Sequence, residues 1–284
     1  MGSMIERVKG WIFGGAKKTI PIPVESKTDR QDEDVEEHER QLAALSAAID
    51  PPLAISDIAG AETRCKDLEA FLIALAVDGA GPNLRRLLGN GYFDLGSAYR
   101  QMKRVAEAEA AYAKAMGSLE SIVQVQRHAR FASSQLAACQ NHLGLLYMAC
   151  GPQEKAIAAL DDAIRMRRTL ATQYPDDCEN VVYLGGAICN RAHIARENGE
   201  VNAAATLYDE AIATINSVVP DDRAGEREQA MVRALAAAMN NPRWIQLARH
   251  FRVNAQNGRQ LLPPRMQPVG RKGAAPSAAW KLKR

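Results

Sequence analysis

Aromatic residues are scarce, with Phe, Trp and Tyr together making 5% of the 284 residues. Long alternations of Val, Ile and Thr are missing too, which argues against a sheet-based fold. No run approaches the ~20 apolar residues that a membrane-spanning helix needs. The start has one short apolar patch, Trp11-Ile12-Phe13, and lacks the longer stretch of a signal peptide. Residue 6 is Glu, where a myristoylation signal after Gly2 requires Ser or Thr. A short amphipathic anchor over Ile5 to Phe13 is the membrane reading left open.

The five cysteines, Cys65, Cys139, Cys150, Cys178 and Cys189, contain no CxxC pair, and their number is odd. They read as small core residues of a chain kept in a reducing compartment, the cytoplasm. Catalytic signatures are lacking as well. His38-Glu39 is followed by Arg40-Gln41-Leu42 and so is not HExxH, and no phosphate-binding glycine loop or nucleophile elbow occurs. The five histidines are scattered, with no Cys/His spacing suited to zinc. No catalytic residue, metal or cofactor is expected.

The formal net charge of +3 is too small to dictate a partner. Its distribution is uneven. Asp29 to Glu39 is mostly acidic, whereas Arg252 to Arg284 carries basic residues with no Asp or Glu. The basic end reads as a solvated tail, or else as a salt-sensitive contact to nucleic acid or an anionic surface.

The sequence does have self-similarity at 48 residues. Leu95-Gly96 recurs as Leu143-Gly144 and, with the leucine lost, as Arg191-Ala192. Ala108, Ala156 and Ala204 share a column, as do Tyr112, Leu160 and Tyr208, and again Ala115, Ala163 and Ala211. Within a unit, Ala108, Tyr112, Ala115, Leu119 and Ile122 are three or four apart and share one helix face. Gly151-Pro152 and Asn198-Gly199 break the second and third units into two helices each. Tyr174-Pro175-Asp176-Asp177 and Val219-Pro220-Asp221-Asp222 separate one unit from the next, with Asp177 and Asp222 placed to cap the next helix in each case.

Tyr92-x-x-Leu95-Gly96-x-x-Tyr99 followed by Ala108-x-x-x-Tyr112 resembles the tetratricopeptide repeat signature. Gln140-x-x-Leu143-Gly144-x-x-Tyr147 with Ala156-x-x-x-Leu160 resembles it again. The third unit keeps Ala204-x-x-x-Tyr208 but has Arg191 and Ala195 where the family places a leucine and an aromatic. The family's usual period is about 34 residues. The excess here is two heptads, so each helix gains about two turns without changing its buried face. Such units are similar to the long-helix repeats of kinesin light chains and of bacterial multi-repeat proteins. The resemblance implies an all-α fold, a right-handed α-solenoid of stacked antiparallel helix pairs, and a role in protein interaction.

Residues 1–32 are expected to be an N-terminal segment and linker, and 33–80 a divergent helical hairpin, with Asp50-Pro51-Pro52 ending its first helix. Residues 81–222 hold three repeats, 81–127, 128–177 and 178–222. Residues 223–255 are capping helices, one over Arg223 to Met239 and one carrying Trp244, Leu247 and Phe251. Residues 256–284 form a basic tail without fixed structure.

In this family the first helix of each pair lines the binding surface. The resemblance therefore places Phe93, Ser97, Arg100 and Gln101 on it from the first unit, and Asn141, His142, Leu145 and Met148 from the second. Cys189, Asn190, His193 and Arg196 come from the third. Asparagine amides suit a peptide backbone, and Arg100 and Arg196 favour an acidic ligand. Asn141 and Asn190 equally suit a helix-to-helix hydrogen bond, His142 and His193 partly buried polar positions, and Met148 a gap filler. The expected function is a scaffold or adaptor holding a partner peptide or protein in that groove. The competing readings are a contact made through the basic tail and self-association by end-to-end stacking.

Overall fold

Alanine, leucine and unbranched polar residues recur at helical spacing through most of the chain, and these segments fold as helices. The structure, a computed structural model, describes residues 29–76, 80–219 and 243–262. Helices α1 (Asp29–Ala47), α2 (Asp50–Ala54) and α3 (Ile58–Leu75) come first. Three long pairs follow: α4 (Pro82–Gln101) with α5 (Val105–Glu120), α6 (Gln126–Cys150) with α7 (Gln153–Gln173), and α8 (Cys178–Glu197) with α9 (Val201–Asn216). Helix α10 (Arg243–Gln260) is the last. No strand occurs among the described residues. Each pair packs on itself and on the next, so the chain is an all-α solenoid.

The columns of the 48-residue period become the seams of the stack. Gly96 and Gly144 lie where a Cβ would come within 2.8 Å of Tyr112 and 2.6 Å of Leu160, so glycine lets the two helices of a pair close on their large residues. Ala108, Ala156 and Ala204 are fully buried in the same contacts. The turns inside the pairs also share a column, occupied by Lys103, Gly151 and Gly199. Gly199 is left-handed with φ of 73°, and Lys103 adopts φ of 59° despite its side chain.

First helices lie beside first helices and are joined by a polar column one residue before each Leu, Leu or Arg of the repeat signature. Asp94 accepts from Ser46 Oγ (2.8 Å), His142 Nδ1 bonds Ser97 Oγ and Tyr112 OH (3.1 Å each), and Asn190 Nδ2 donates to Asn141 Oδ1 (3.1 Å). The hairpin of α1 and α3 joins in the same way, α1 meeting α4 through Ser46 and the Glu39–Arg86 pair, α3 meeting α5 through Glu62–Arg104 and Glu69–Lys114.

Several details differ from the sequence expectation. Helix α1 begins at Asp29, ahead of the expected boundary at 33. Asp50-Pro51-Pro52 does not simply end a helix. The prolines sit in the first turn of α2, where no backbone N–H is needed. The tail does not lose its structure at Gln256. Helix α10 runs on to Gln260, with Gly258 leaving room for the Tyr208 ring against its backbone, and Leu262 is buried after it. Asp177 caps α8 as expected, accepting from Asn180 N (3.0 Å). The segment before Asp29, the helix expected over Arg223 to Met239 with Asp222 before it, and the basic residues after Leu262 lie outside the described residues.

Candidate peptide-binding groove

A cleft of about 980 Å³ runs between α6 and α8. On α6 its lining is a stripe with steps of three and four residues: Arg127, Arg130, Ser134, Ala138, Asn141 and Leu145. Asn180, Tyr183, Ala187 and Asn190 form the matching stripe on α8. Helix α10 supplies a third wall with Leu247, His250, Phe251 and Asn254. It lies that close because Gly186 leaves room for Phe251, whose ring would be 2.6 Å from any added Cβ.

Of the residues expected at the groove, Phe93, Asn141, His142, Leu145, Cys189 and Asn190 line it. Ser97, Arg100, Gln101, Met148, His193 and Arg196 do not. The cleft faces the N-terminal and middle turns of the first helices, and these six lie toward the C-terminal turns. Ser97 and His193 are drawn into the pairs by tyrosine hydroxyls. Ser97 Oγ is 3.3 Å from Tyr112 OH, and His193 Nδ1 is 2.6 Å from Tyr208 OH. Arg100 Nε is buried with no acceptor among the described residues, and Met148 packs against Ala156, Leu160 and Ile194.

His142 lines the groove but is committed elsewhere. Its ring lies 4.7 Å from that of Phe93 and is held by Ser97 and Tyr112. Burial first, then the Arg100 and Arg167 charges, push its pKa down to about 3, so the ring is neutral. Burial lowers the His193 pKa as well. Asn141 and Asn190 bond each other, as the helix-to-helix reading expects, and both also line the cleft. The pair uses one N–H and one oxygen, leaving further amide donors and acceptors.

The basic end of the cleft did not stand out in the sequence. Arg167 lines it while only 4% exposed. Its Nη1 donates to Ser134 Oγ (2.9 Å) and Asn180 Oδ1 (3.0 Å), and its Nη2 to the Ser134 carbonyl (3.0 Å). Asn180 Nδ2 donates back to the Arg167 carbonyl (3.0 Å), and the Tyr183 ring lies 4.9 Å from the guanidinium. Burial pulls the Arg167 pKa down to about 10, against the opposing pull of Tyr183, Asp177 and Glu179. Arg130 pairs with Asp177 Oδ2 (2.9 Å), and exposed Arg127 bonds only the ring of His128 (3.0 Å) among the described residues. Two signals could have found this end. Stepping the Asn141 stripe backwards by threes and fours reaches Arg130 and Arg127. The 48-residue register puts Arg167 in one column with Leu119 and Ile215, both fully buried.

Comparison with known proteins agrees with the repeat reading. A tetratricopeptide repeat model matches residues 90–118, and a second one matches 136–171. No curated protein matches the chain. Among solved structures, BtubC (BKLC) from P. vanneervenii is similar over 92% of this chain and 100% of its own, with 16% identity and a TM-score of 0.48. The de novo designed helical repeat protein DHR81 is similar over 82% and 94% respectively, with 16% identity and a TM-score of 0.42.

Proposed function

From a chain that belongs to the tetratricopeptide repeat proteins, we propose a protein-interaction scaffold that holds an extended segment of a partner protein in the cleft between α6 and α8. The observation that carries this reading is the cleft itself. Two parallel stripes of side chains and a third helical wall enclose a volume in the range that binding clefts usually have. Its middle offers what a peptide backbone needs. The Asn141–Asn190 pair presents spare amide groups, while Phe93, Leu145 and Phe251 offer apolar surface to alternate side chains. Repeats of this family typically act as non-catalytic scaffolds, in keeping with a sequence that carries no catalytic signature.

The test fills the cleft. Ala138 lines its floor and is partly exposed, so Ala138→Trp occupies the space without entering the core. Partners recovered by the intact chain from its own cells should be lost with Ala138→Trp, while circular dichroism and melting temperature stay unchanged. Undiminished recovery of every partner would refute binding in this cleft.

A further inference from the structure

We propose that the Arg127, Arg130 and Arg167 corner of the cleft reads an acidic side chain of the bound segment. This rests on the peptide-groove reading and adds to it the kind of residue recognised and where it is recognised.

The first observation is a break in the repeat. The column of Leu119 and Ile215 is hydrocarbon in the first and third units and fully buried. In the second unit it is Arg167, equally sunk in the stack, and the polar neighbours change with it. Asn180 stands where the preceding unit has buried Ala132. Folding gains nothing from exchanging a buried leucine for a buried cation, because desolvating the charge is costly. An anion supplied by a ligand would offset that cost.

The second observation is that the cation is only partly satisfied. A guanidinium has five N–H groups. Three of them donate, all to neutral oxygens of Ser134 and Asn180. The other two have no acceptor, and no carboxylate lies within ion-pair distance, among the described residues. Arg127, at the same end, is exposed and makes no ion pair among the described residues. Arg130 shares its carboxylate, since Asp177 also caps α8. Three guanidinium groups thus face the two nearby carboxylates of Asp177 and Glu179.

This balance favours one carboxylate over a polyanion. Asp177 and Glu179 would repel a continuous phosphate backbone, and the amide pair at mid-cleft matches a peptide main chain. Arg127 to Leu145 spans eighteen residues of α6, or roughly 27 Å. The ligand therefore has an acidic end at Arg127 and apolar side chains near Phe93 and Leu145.

The test uses short randomised peptides blocked at both ends, selected on the full chain and on Arg127→Gln/Arg130→Gln. Both altered side chains are exposed, so the fold is expected to survive, and circular dichroism checks it. On the intact chain Asp and Glu should be enriched roughly tenfold at one position, as one charge-assisted hydrogen bond implies. Apolar residues should be enriched at others. The double variant should lose the acidic preference and keep the apolar one. Apolar enrichment alone on the intact chain would overturn the acidic corner and leave the groove standing. Enrichment of nothing would overturn both. Acidic enrichment that survives the double variant would overturn the reading by Arg127 and Arg130. An oligouridylate bound as tightly as the selected peptides, and lost in the same variant, would overturn the choice of a peptide.

Discussion

In the first repeat pair the column of Leu119 is filled with hydrocarbon. Gly89 opposite lets the leucine close on the backbone, with a Cβ there falling 2.7 Å from the side chain. In the second pair the same column holds Arg167. Ala137 takes the place of Gly89, and the guanidinium is held by Ser134 and Asn180. Both positions are equally sunk in the stack, so burial does not distinguish them. Partners do. The first pair is specified by close packing around a side chain that needs no acceptor. The second is specified by hydrogen bonds that must all form together. The first arrangement gives stability alone. The second places a charge under a cleft, where it can act on something that enters.

Four experiments break or sharpen that contrast. The largest effect is expected from Leu119→Arg, which puts the second pair's charge into the first pair, where Leu119 is fully buried and Arg86 and Ala132 stand in the columns of Ser134 and Asn180. It should cost more than about 4 kcal/mol in urea denaturation, or prevent folding. A loss below about 1 kcal/mol would show that the column tolerates charge without a built network.

Next is acid. His142 joins the two pairs as a neutral ring with its pKa lowered to about 3, whereas an unfolded histidine titrates near 6.5. Its contribution is therefore whole above about pH 6.5 and is lost as the pH falls toward 3, because the unfolded chain binds the proton first. Between pH 7 and 4 the intact chain should lose up to about 3 kcal/mol more than His142→Gln does. Parallel pH profiles for the two proteins would count against this.

The triple variant Ala137→Gly/Arg167→Leu/Asn180→Ala gives the second pair the first pair's chemistry. Replacing a buried charge and its partner by hydrocarbon is often neutral or stabilising. Thermal melts should show no loss, or a gain of about 1 to 2 kcal/mol. A clear loss would mean that the polar network holds the pairs together better than packing would.

The smallest effect compares the turns. Lys103 takes the left-handed conformation that Gly199 takes in the third pair. Lys103→Gly should stabilise by about 0.5 kcal/mol, with the relief of backbone strain exceeding glycine's entropic cost. A destabilised variant would show that the lysine side chain has an unrecognised role.

The repeat, its period and the helix pairs were legible because small and apolar residues return at a fixed spacing, and each return marks a contact. The middle of the candidate cleft, at Asn141, Leu145 and Asn190, was reached through the family resemblance, which puts first helices on the binding surface. Its two ends were not. Arg100 and Arg196 look like ligand-facing charges on the first helices, yet the cleft lies nearer the other end of those helices. The shift comes from α10, which seats on Gly186 through Phe251. Nothing local in the sequence says where a helix more than fifty residues downstream will dock. Arg167 was hidden by its surroundings. Arg165-Met166-Arg167-Arg168 reads as a solvated basic face, and only register with Leu119 and Ile215 shows that one of these arginines points inward.

The polar column of Asp94, His142 and Asn190 links each first helix to the one before it, and it uses a different chemistry at each step: carboxylate to hydroxyl, imidazole to hydroxyl and phenol, amide to amide. The units are therefore not interchangeable modules. Duplicating one, or swapping two, would set mismatched groups face to face. The order of the units is written into the joints of this stack, and engineering that extends it would have to recode each junction along with the unit added.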